Sequence, residues 1–175
     1  MAGKEQLRFK EPCMRVLENE HRYLSFLMDE WHAIVLQFER EGLTEEEGHR
    51  LLKELRRLVI AFLDPLKNHT EKEEEHFFPL LGSYIGFEQG PLVGIQEEHE
   101  EIDGYIGHFL HHTRGDFSEL SLPQLRSAVK DAGEAFEVLT VHFVKEETVL
   151  FPMAENLMRA DDQDALFEKL NTLIT

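Results

Sequence analysis

Two histidine-glutamate pairs in this chain have residue types and spacing suited to binding a metal ion. His69 precedes Glu73 by four residues. The same interval separates His142 from Glu146. On an α-helix, residues four apart lie on one face about 6 Å apart, so each pair can direct a nitrogen and an oxygen at one point. Imidazole and carboxylate groups bind iron, zinc and manganese, so each pair is one half of a candidate metal site.

Both pairs lie within a repeated sequence. The pattern H-x-x-K-E-E-x-x-x-F-P describes residues 69–79 and again residues 142–152. A looser repeat relates residues 19–24 to residues 97–102, and each of these segments contains a Glu-His dipeptide. A surface ion pair gives no reason for such a context to recur, whereas duplication of a helix pair does. The repeats therefore predict a site with pseudo-twofold symmetry.

The two halves together supply six candidate ligands. If the lone histidines also face inward, each of two ions gains imidazole nitrogens while the glutamates bridge the pair. The predicted metal ligands are His21, His69, Glu73, His99, His142 and Glu146. Such groups are costly to desolvate in an apolar interior unless a cation neutralises them. The sequence thus predicts a dinuclear centre, for which two iron ions fit best and zinc or manganese are alternatives.

Helices must position these side chains, and apolar residues at helical spacing indicate where the helices run. Thr44 and Ser121 are predicted N-caps, and Asp161 is the predicted cap of a final helix. Asp64-Pro65 is expected either to kink the second helix or to restart it. The predicted helices cover about 12–40, 44–81, 91–112, 123–158 and 161–173.

These elements predict an all-α fold, because no alternating strand pattern of useful length is present. The expected architecture is an up-down-up-down antiparallel four-helix bundle with a short additional C-terminal helix. At 175 residues the chain is predicted to form a single domain over 1–175. The bundle would take up about 12–158 and the C-terminal helix about 161–173.

Composition restricts the partners and the setting. A formal net charge of -17 disfavours nucleic acid and anionic membrane as partners. No apolar run has the length of a membrane span, and the first residues show no export signal, so a cytoplasmic location is expected. Cys13 is the single cysteine, which excludes a thiolate metal site and leads us to expect an inert thiol.

The order of a lone His, then H-x-x-x-E, repeated once and ending in Phe-Pro, resembles the hemerythrin or HHE cation-binding domain over about 12–158. The resemblance implies a four-helix bundle with a non-haem, oxo- or hydroxo-bridged di-iron centre. Asp103 stands where oxygen carriers of this family have a further histidine, and Glu146 follows its histidine by four residues rather than five. Four His and two Glu ligands are similar instead to the HHE proteins associated with iron sensing and with repair of iron centres.

Three functions are compatible with this sequence. The first is binding or sensing of O2, NO or peroxide as a small ligand, with any signal passed to a separate protein partner. The second is a di-iron enzyme or iron donor that oxidises Fe(II), detoxifies peroxide or NO, or supplies iron for repair of iron-sulfur centres. The third is a metal-free helical interaction module. The shared ligands do not distinguish the first two, since these differ in access to the pocket and in redox potential.

Several other residues have two interpretations. Asp103 is either a seventh metal ligand or a residue that contacts the ligands or the solvent rather than the metal. Glu74 and Glu147 are interpreted as interhelical ion partners, with contact to the ligands as the alternative. His76 is expected to pack or to line the pocket. The Phe-Pro pairs are expected to close the apolar wall and to stop or kink their helices. The histidines expected at the surface are His32, His49, His108, His111 and His112.

Overall fold

The computed structural model describes residues 6–88 and 90–175, and these residues are all-helical, without a strand. The helices are α1, Pro12–Gln37; α2, Glu45–Lys72; α3, Phe78–Ile85; α4, Pro91–His112; α5, Leu122–Lys145; α6, Phe151–Leu157; and α7, Ala160–Leu170. A helical turn of π type continues α2 into α3, and a second continues α5 into α6. The π-helical turns are Glu73–Phe77 and Glu146–Leu150.

Two predicted helix starts are confirmed as capping boxes. The Thr44 hydroxyl accepts a hydrogen bond from the Glu47 amide at 3.2 Å, and the Glu47 carboxylate accepts one from the Thr44 amide at 3.1 Å. Ser121 and Gln124 form the same reciprocal pair. Each box satisfies two backbone donors that the helix itself leaves unpaired, which stabilises a helix start by about 1 kcal/mol.

The boundaries differ from the prediction at several points. Helix α2 continues through Pro65 instead of restarting, and Pro65 is buried, which offsets part of the cost of the lost backbone hydrogen bond. The helical backbone extends to Ile85 rather than 81. The last helix begins after Arg159, with no side-chain cap, and ends at Leu170. Asp161 therefore lies in the first turn of α7. Its charge interacts favourably with the helix dipole there, but its side chain does not cap the helix.

The two Phe-Pro pairs do not stop their helices; a stop was one of the two predicted outcomes, the other being a kink. Each follows a π-helical turn in which a backbone amide donates to the carbonyl five residues earlier: Phe78 to Glu73, and Phe151 to Glu146. A proline in a regular helix meets the carbonyl four residues before it. The wider π turn relieves this contact, so the chain stays helical and each turn begins at one of the central glutamates.

Two apolar clusters lie on either side of the layer that contains the candidate ligands. One, the Trp31 cluster, includes Leu24, Leu66, Ile102 and Leu139. The other, the Phe151 cluster, lies on the opposite side of the ligand positions. It includes Leu17, Phe77, Ile95 and Leu150. The four long helical stretches traverse the two clusters in alternating order, which favours the up-down-up-down arrangement that we predict.

Helix α7 packs mainly against α1. Its residues Leu166 and Leu170 are buried in the Phe151 cluster. Within the described residues, no helix combines the length and the apolar character required to cross a membrane.

Candidate metal centre

Four helices each bring one imidazole to two central carboxylates. His21 comes from α1, His69 from α2, His99 from α4 and His142 from α5. All four are buried, and Glu73 and Glu146 have no exposed surface. The structure thus brings together all six residues that the sequence singled out; their role as ligands stays a prediction.

The six residues form two overlapping groups that share the glutamates. In the first group, the candidate ligand atoms of His21, His69 and both glutamates lie within 4.8 Å of one another. In the second group, His99 and His142 take the place of the first two histidines. Two groups of donors that have two carboxylates in common are the arrangement that the duplicated sequence predicts.

The distances show the pseudo-twofold relation. Within the helices, His69 Nε2 lies 3.0 Å from Glu73 Oε1, and His142 Nε2 lies 2.9 Å from Glu146 Oε1. Across the helices, the separations are 3.5 Å from His21 Nε2 to Glu146 Oε1 and 3.8 Å from His99 Nε2 to Glu73 Oε1. Every Nε2 atom therefore faces a central carboxylate oxygen.

The other nitrogen of each imidazole faces a carboxylate on a different helix. The shorter contacts, both 2.8 Å, are hydrogen bonds from His69 Nδ1 to Glu20 Oε1 and from His99 Nδ1 to Glu74 Oε1. A carboxylate that accepts from Nδ1 leaves the Nε2 lone pair free to bind an ion and fixes the ring orientation. The longer contacts are 3.6 Å for His21 with Glu147 and 3.7 Å for His142 with Glu98.

Only half of these outer carboxylates were singled out from the sequence. Glu74 and Glu147 face imidazoles of the centre, which is the alternative interpretation rather than the favoured one of ion partners away from the centre. Glu20 and Glu98 were missed, and the signal for them was the Glu-His dipeptide shared by residues 19–24 and 97–102. That signal is weak, because a glutamate beside a histidine on one helix does not reveal which residue of another helix it contacts.

The phenylalanines of the two Phe-Pro pairs pack against the lone histidines. Phe151 stacks on His21 with ring centroids 5.3 Å apart, and Phe78 stacks on His99 with centroids 5.7 Å apart. The stacked rings hold these imidazoles from the side of the Phe151 cluster. The prediction that these phenylalanines form an apolar wall is therefore consistent with their packing.

The donor set fits a pair of cations. Both oxygens of Glu73 and of Glu146 are buried without a hydrogen-bond partner, as are the Nε2 atoms of His21 and His69. Burial alone would raise the pKa of Glu73, but the imidazoles of His69, His99 and His21 outweigh it and lower that pKa to about 2. An ionised carboxylate without a donor is costly to bury, so a bound cation would stabilise both glutamates.

The imidazole of His142 is suited to donate a lone pair. Burial lowers the pKa of His142 to about 3, and the charge of Glu73 offsets only part of this shift. The ring is therefore neutral at ordinary pH. Its Nε2 atom lies 2.9 Å from His99 Nε2. Two nitrogens that bind one ion at a right angle, each through a bond of about 2.1 Å, lie about 3 Å apart, so the observed distance suits two ligands of one ion.

A cavity of about 10 Å³ adjoins the centre between His69, Glu73 and His99. Its apolar walls include Leu66 and Phe143. This volume is enough for about one water-sized molecule. The space beside the central carboxylates is therefore no larger than a single water-sized molecule needs.

Asp103 lies at the edge of the same cavity. Its side chain is exposed, and it belongs to neither of the two groups of candidate ligands found among the described residues. The structure therefore does not bring Asp103 into the ligand set. Of the two interpretations, the position further out is the one it occupies.

The remaining histidines and the cysteine lie outside the two groups. His108, His111 and His112 are exposed, as expected, and His76 is half-buried. The surface expectation is wrong for two others: His32 stacks on Phe136, and His49 Nε2 lies 2.8 Å from the Leu120 carbonyl oxygen. Both are half-buried, His32 against a residue of α5 and His49 against the segment that precedes α5. Cys13 is buried, and burial raises the pKa of its thiol to about 11, which favours an inert thiol.

A model of the hemerythrin HHE cation binding domain family matches residues 14–154. The chain belongs to this family. The matched segment contains all six central residues of the hemerythrin-like site, and its description as cation-binding agrees with the donor set. No curated protein and no solved structure gave a significant match.

Removal of bound metal is expected to destabilise the fold. A cation that binds only the folded chain stabilises it by about 2.7 kcal/mol when its free concentration is 100 times its dissociation constant. Treatment with a strong chelator should therefore lower the Tm measured by circular dichroism, and restoring the metal should raise it again. A His108→Ala, His112→Ala double variant should show the same response. An unchanged Tm after complete metal removal would contradict the conclusion that the buried donors fit a pair of cations.

The carboxylate behind His99 is expected to tune metal affinity. Glu74→Gln removes the charge that accepts from His99 Nδ1, and loss of such a partner weakens metal binding by about 10- to 100-fold. Glu75→Gln is the matched control, because this exposed neighbour makes the same change in net charge. Competition with a chromogenic chelator measures both affinities. Equal affinities for the two variants would show that Glu74 has no such role.

Proposed function

We propose that this hemerythrin-like chain holds two iron ions between its helices and binds O2, NO or peroxide beside them. The observation that carries the proposal is the sharing of Glu73 and Glu146 by two groups of buried donors. His21 and His69 would complete one position, and His99 and His142 the other. Iron bound there would supply redox chemistry and open positions for a small ligand, because each position offers four protein donors.

The surroundings of the centre support a small, uncharged ligand. Apolar side chains, including Leu66, Ile102 and Leu139, wall the cavity on the side of the Trp31 cluster. They would exclude bulk water and larger molecules from the carboxylates and imidazoles. The size of the cavity, about 10 Å³, favours diatomic gases and peroxide over any organic substrate.

The alternative function is a di-iron enzyme or an iron donor. In this case the same residues would oxidise Fe(II), consume peroxide or NO, or supply iron for repair of iron-sulfur centres. A cleft of about 730 Å³ that opens to solvent favours this alternative, because His21 and Glu147 form part of its lining. Arg8 and Arg22 also line the cleft, but so do Glu18, Asp29 and Glu147, so the cleft has no excess of positive charge that would select an anion.

Substitution of a central histidine tests the ligand set. His69→Ala and His142→Ala each remove one of the donors at one position, so each should reduce bound iron below two ions per chain. His76→Ala, a half-buried histidine on the same helical stretch, is the control and should retain both ions. Elemental analysis of protein from iron-replete cells gives the ratios. Unchanged iron content in both histidine variants would reject the assignment.

Titration of the reduced protein separates binding from turnover. We expect O2 or NO to change the visible spectrum until a fixed ratio per chain is reached, because the cavity admits one small molecule at a time. The absorbance and the amount of gas consumed are recorded together. Continued consumption of O2, NO or peroxide over many equivalents would contradict a binding protein and favour the enzyme.

A further inference from the structure

The two halves of the centre share a repeated lysine, but the two lysines lie in different surroundings. Lys72 precedes Glu73, and Lys145 precedes Glu146. The side chain of Lys72 is 7% exposed, whereas that of Lys145 is 53% exposed. The pseudo-twofold symmetry of the ligands therefore does not extend to the groups that support them.

Lys72 connects the end of the chain to the centre. Its Nζ donates to Glu20 Oε2 at 2.6 Å and to the Leu170 carbonyl oxygen at 2.7 Å. A third hydrogen bond goes to the Thr172 carbonyl oxygen. An ammonium group has three hydrogens, so all of them are used. Because Leu170 is the last residue of α7, the lysine also lies at the negative end of that helix dipole.

Glu20 transmits this contact to a candidate ligand. The same carboxylate that accepts from Lys72 through Oε2 accepts from His69 Nδ1 through Oε1 at 2.8 Å. The side chain of Glu20 is 8% exposed, so its carboxylate is largely shielded from water. One continuous chain of hydrogen bonds thus links the carbonyl oxygens of Leu170 and Thr172 to Lys72, Glu20 and His69. Thr172 belongs to the C-terminal tail, which comprises residues 171–175.

A second contact holds the C-terminal tail against α2. Asn68 Nδ2 donates to the Ile174 carbonyl oxygen at 3.0 Å, one helical turn before Lys72. The side chain of Ile174 is buried in the Trp31 cluster. These contacts place the tail beside the turn of α2 that carries His69.

The corresponding contacts in the other half are weaker. Lys145 Nζ lies 3.0 Å from Glu98 Oε1, in a pair that solvent reaches. Glu98 Oε2 is 3.7 Å from His142 Nδ1, which is longer than a hydrogen bond. An exposed ion pair contributes about 0–1 kcal/mol, so Lys145 has little influence on the orientation of His142.

We propose that Lys72 and the C-terminal tail act together as a positioning device for His69, so that release of the tail loosens one of the two metal positions. The proposal rests on the dinuclear centre proposed above. Without Lys72 the Glu20 carboxylate loses its buried cation and no longer holds the His69 ring in one orientation. The ion held by His21 and His69 then exchanges faster, while the ion held by His99 and His142 does not.

Matched lysine variants test this proposal in zinc-loaded protein. Lys72→Met removes the charge and keeps the length, and Lys145→Met makes the same change at the repeated position. Release of zinc into an excess of chromogenic chelator is followed by absorbance. We expect one of the two ions to leave about 10 to 100 times faster from Lys72→Met, with the second ion unaffected. Release from Lys145→Met should stay within about threefold of the original protein.

Two further variants separate positioning from loss of structure. Asn68→Ala and Ile174→Ala loosen the C-terminal tail without altering any candidate ligand. Each should accelerate release of the same single ion, and neither should add to the effect of Lys72→Met, because they break one connected network. The ¹⁵N NMR signal of the His69 ring should shift in Lys72→Met and in both tail variants. The signal of the His142 ring should not shift in these three variants. Circular dichroism verifies that each is folded.

The outcomes distinguish this proposal from the proposed function. If the original protein binds neither a pair of zinc ions nor a pair of iron ions, the dinuclear centre itself is wrong. If it binds two but Lys72→Met releases both at the original rate, or accelerates both equally, the positioning role is wrong and the centre stands. Equal acceleration by the two lysine variants would also overturn it.

Discussion

Two fully buried carboxylates that lack hydrogen-bond donors impose the constraint on which the rest of this structure depends. Glu73 and Glu146 lie in the interior between two apolar clusters. The groups closest to them are imidazole nitrogens, which compensate a negative charge only when protonated or when a cation lies between. A pair of cations satisfies all of these groups at once, which is why the arrangement indicates a binding site rather than a buried polar defect.

The duplicated sequence explains how a small bundle assembles such a layer. In each half the histidine and the first glutamate face inward, and the lysine contacts the glutamate that precedes a lone histidine. The second glutamate faces the lone histidine of another helix, and the phenylalanine stacks on one. The proline follows a π-helical turn that begins at the inward glutamate. Each copy of the repeat therefore contains the candidate ligands of one helix together with residues that contact the ligands of other helices.

Local signals made the helices, the capping boxes and the six central residues predictable. Histidine and glutamate at an interval of four share a helix face however the helices pack against one another. The π-helical turns were not predicted, because the pattern of hydrogen bonds at a proline depends on how the neighbouring turns adjust. Contacts between helices could not be predicted from the sequence either. The contacts of Glu20 and the burial of Lys72 result from the packing of α1, α2 and α7. The same reason applies to His32, whose partner Phe136 lies on α5.

The most direct measurement of the central claim is anomalous X-ray diffraction from crystals of the protein isolated with its native metal. Data collected on both sides of the iron absorption edge locate iron independently of the protein atoms. We predict two iron peaks per chain, about 3.5–4 Å apart, between Glu73 and Glu146. A single peak, a peak at the protein surface, or no metal between these carboxylates would contradict the claim.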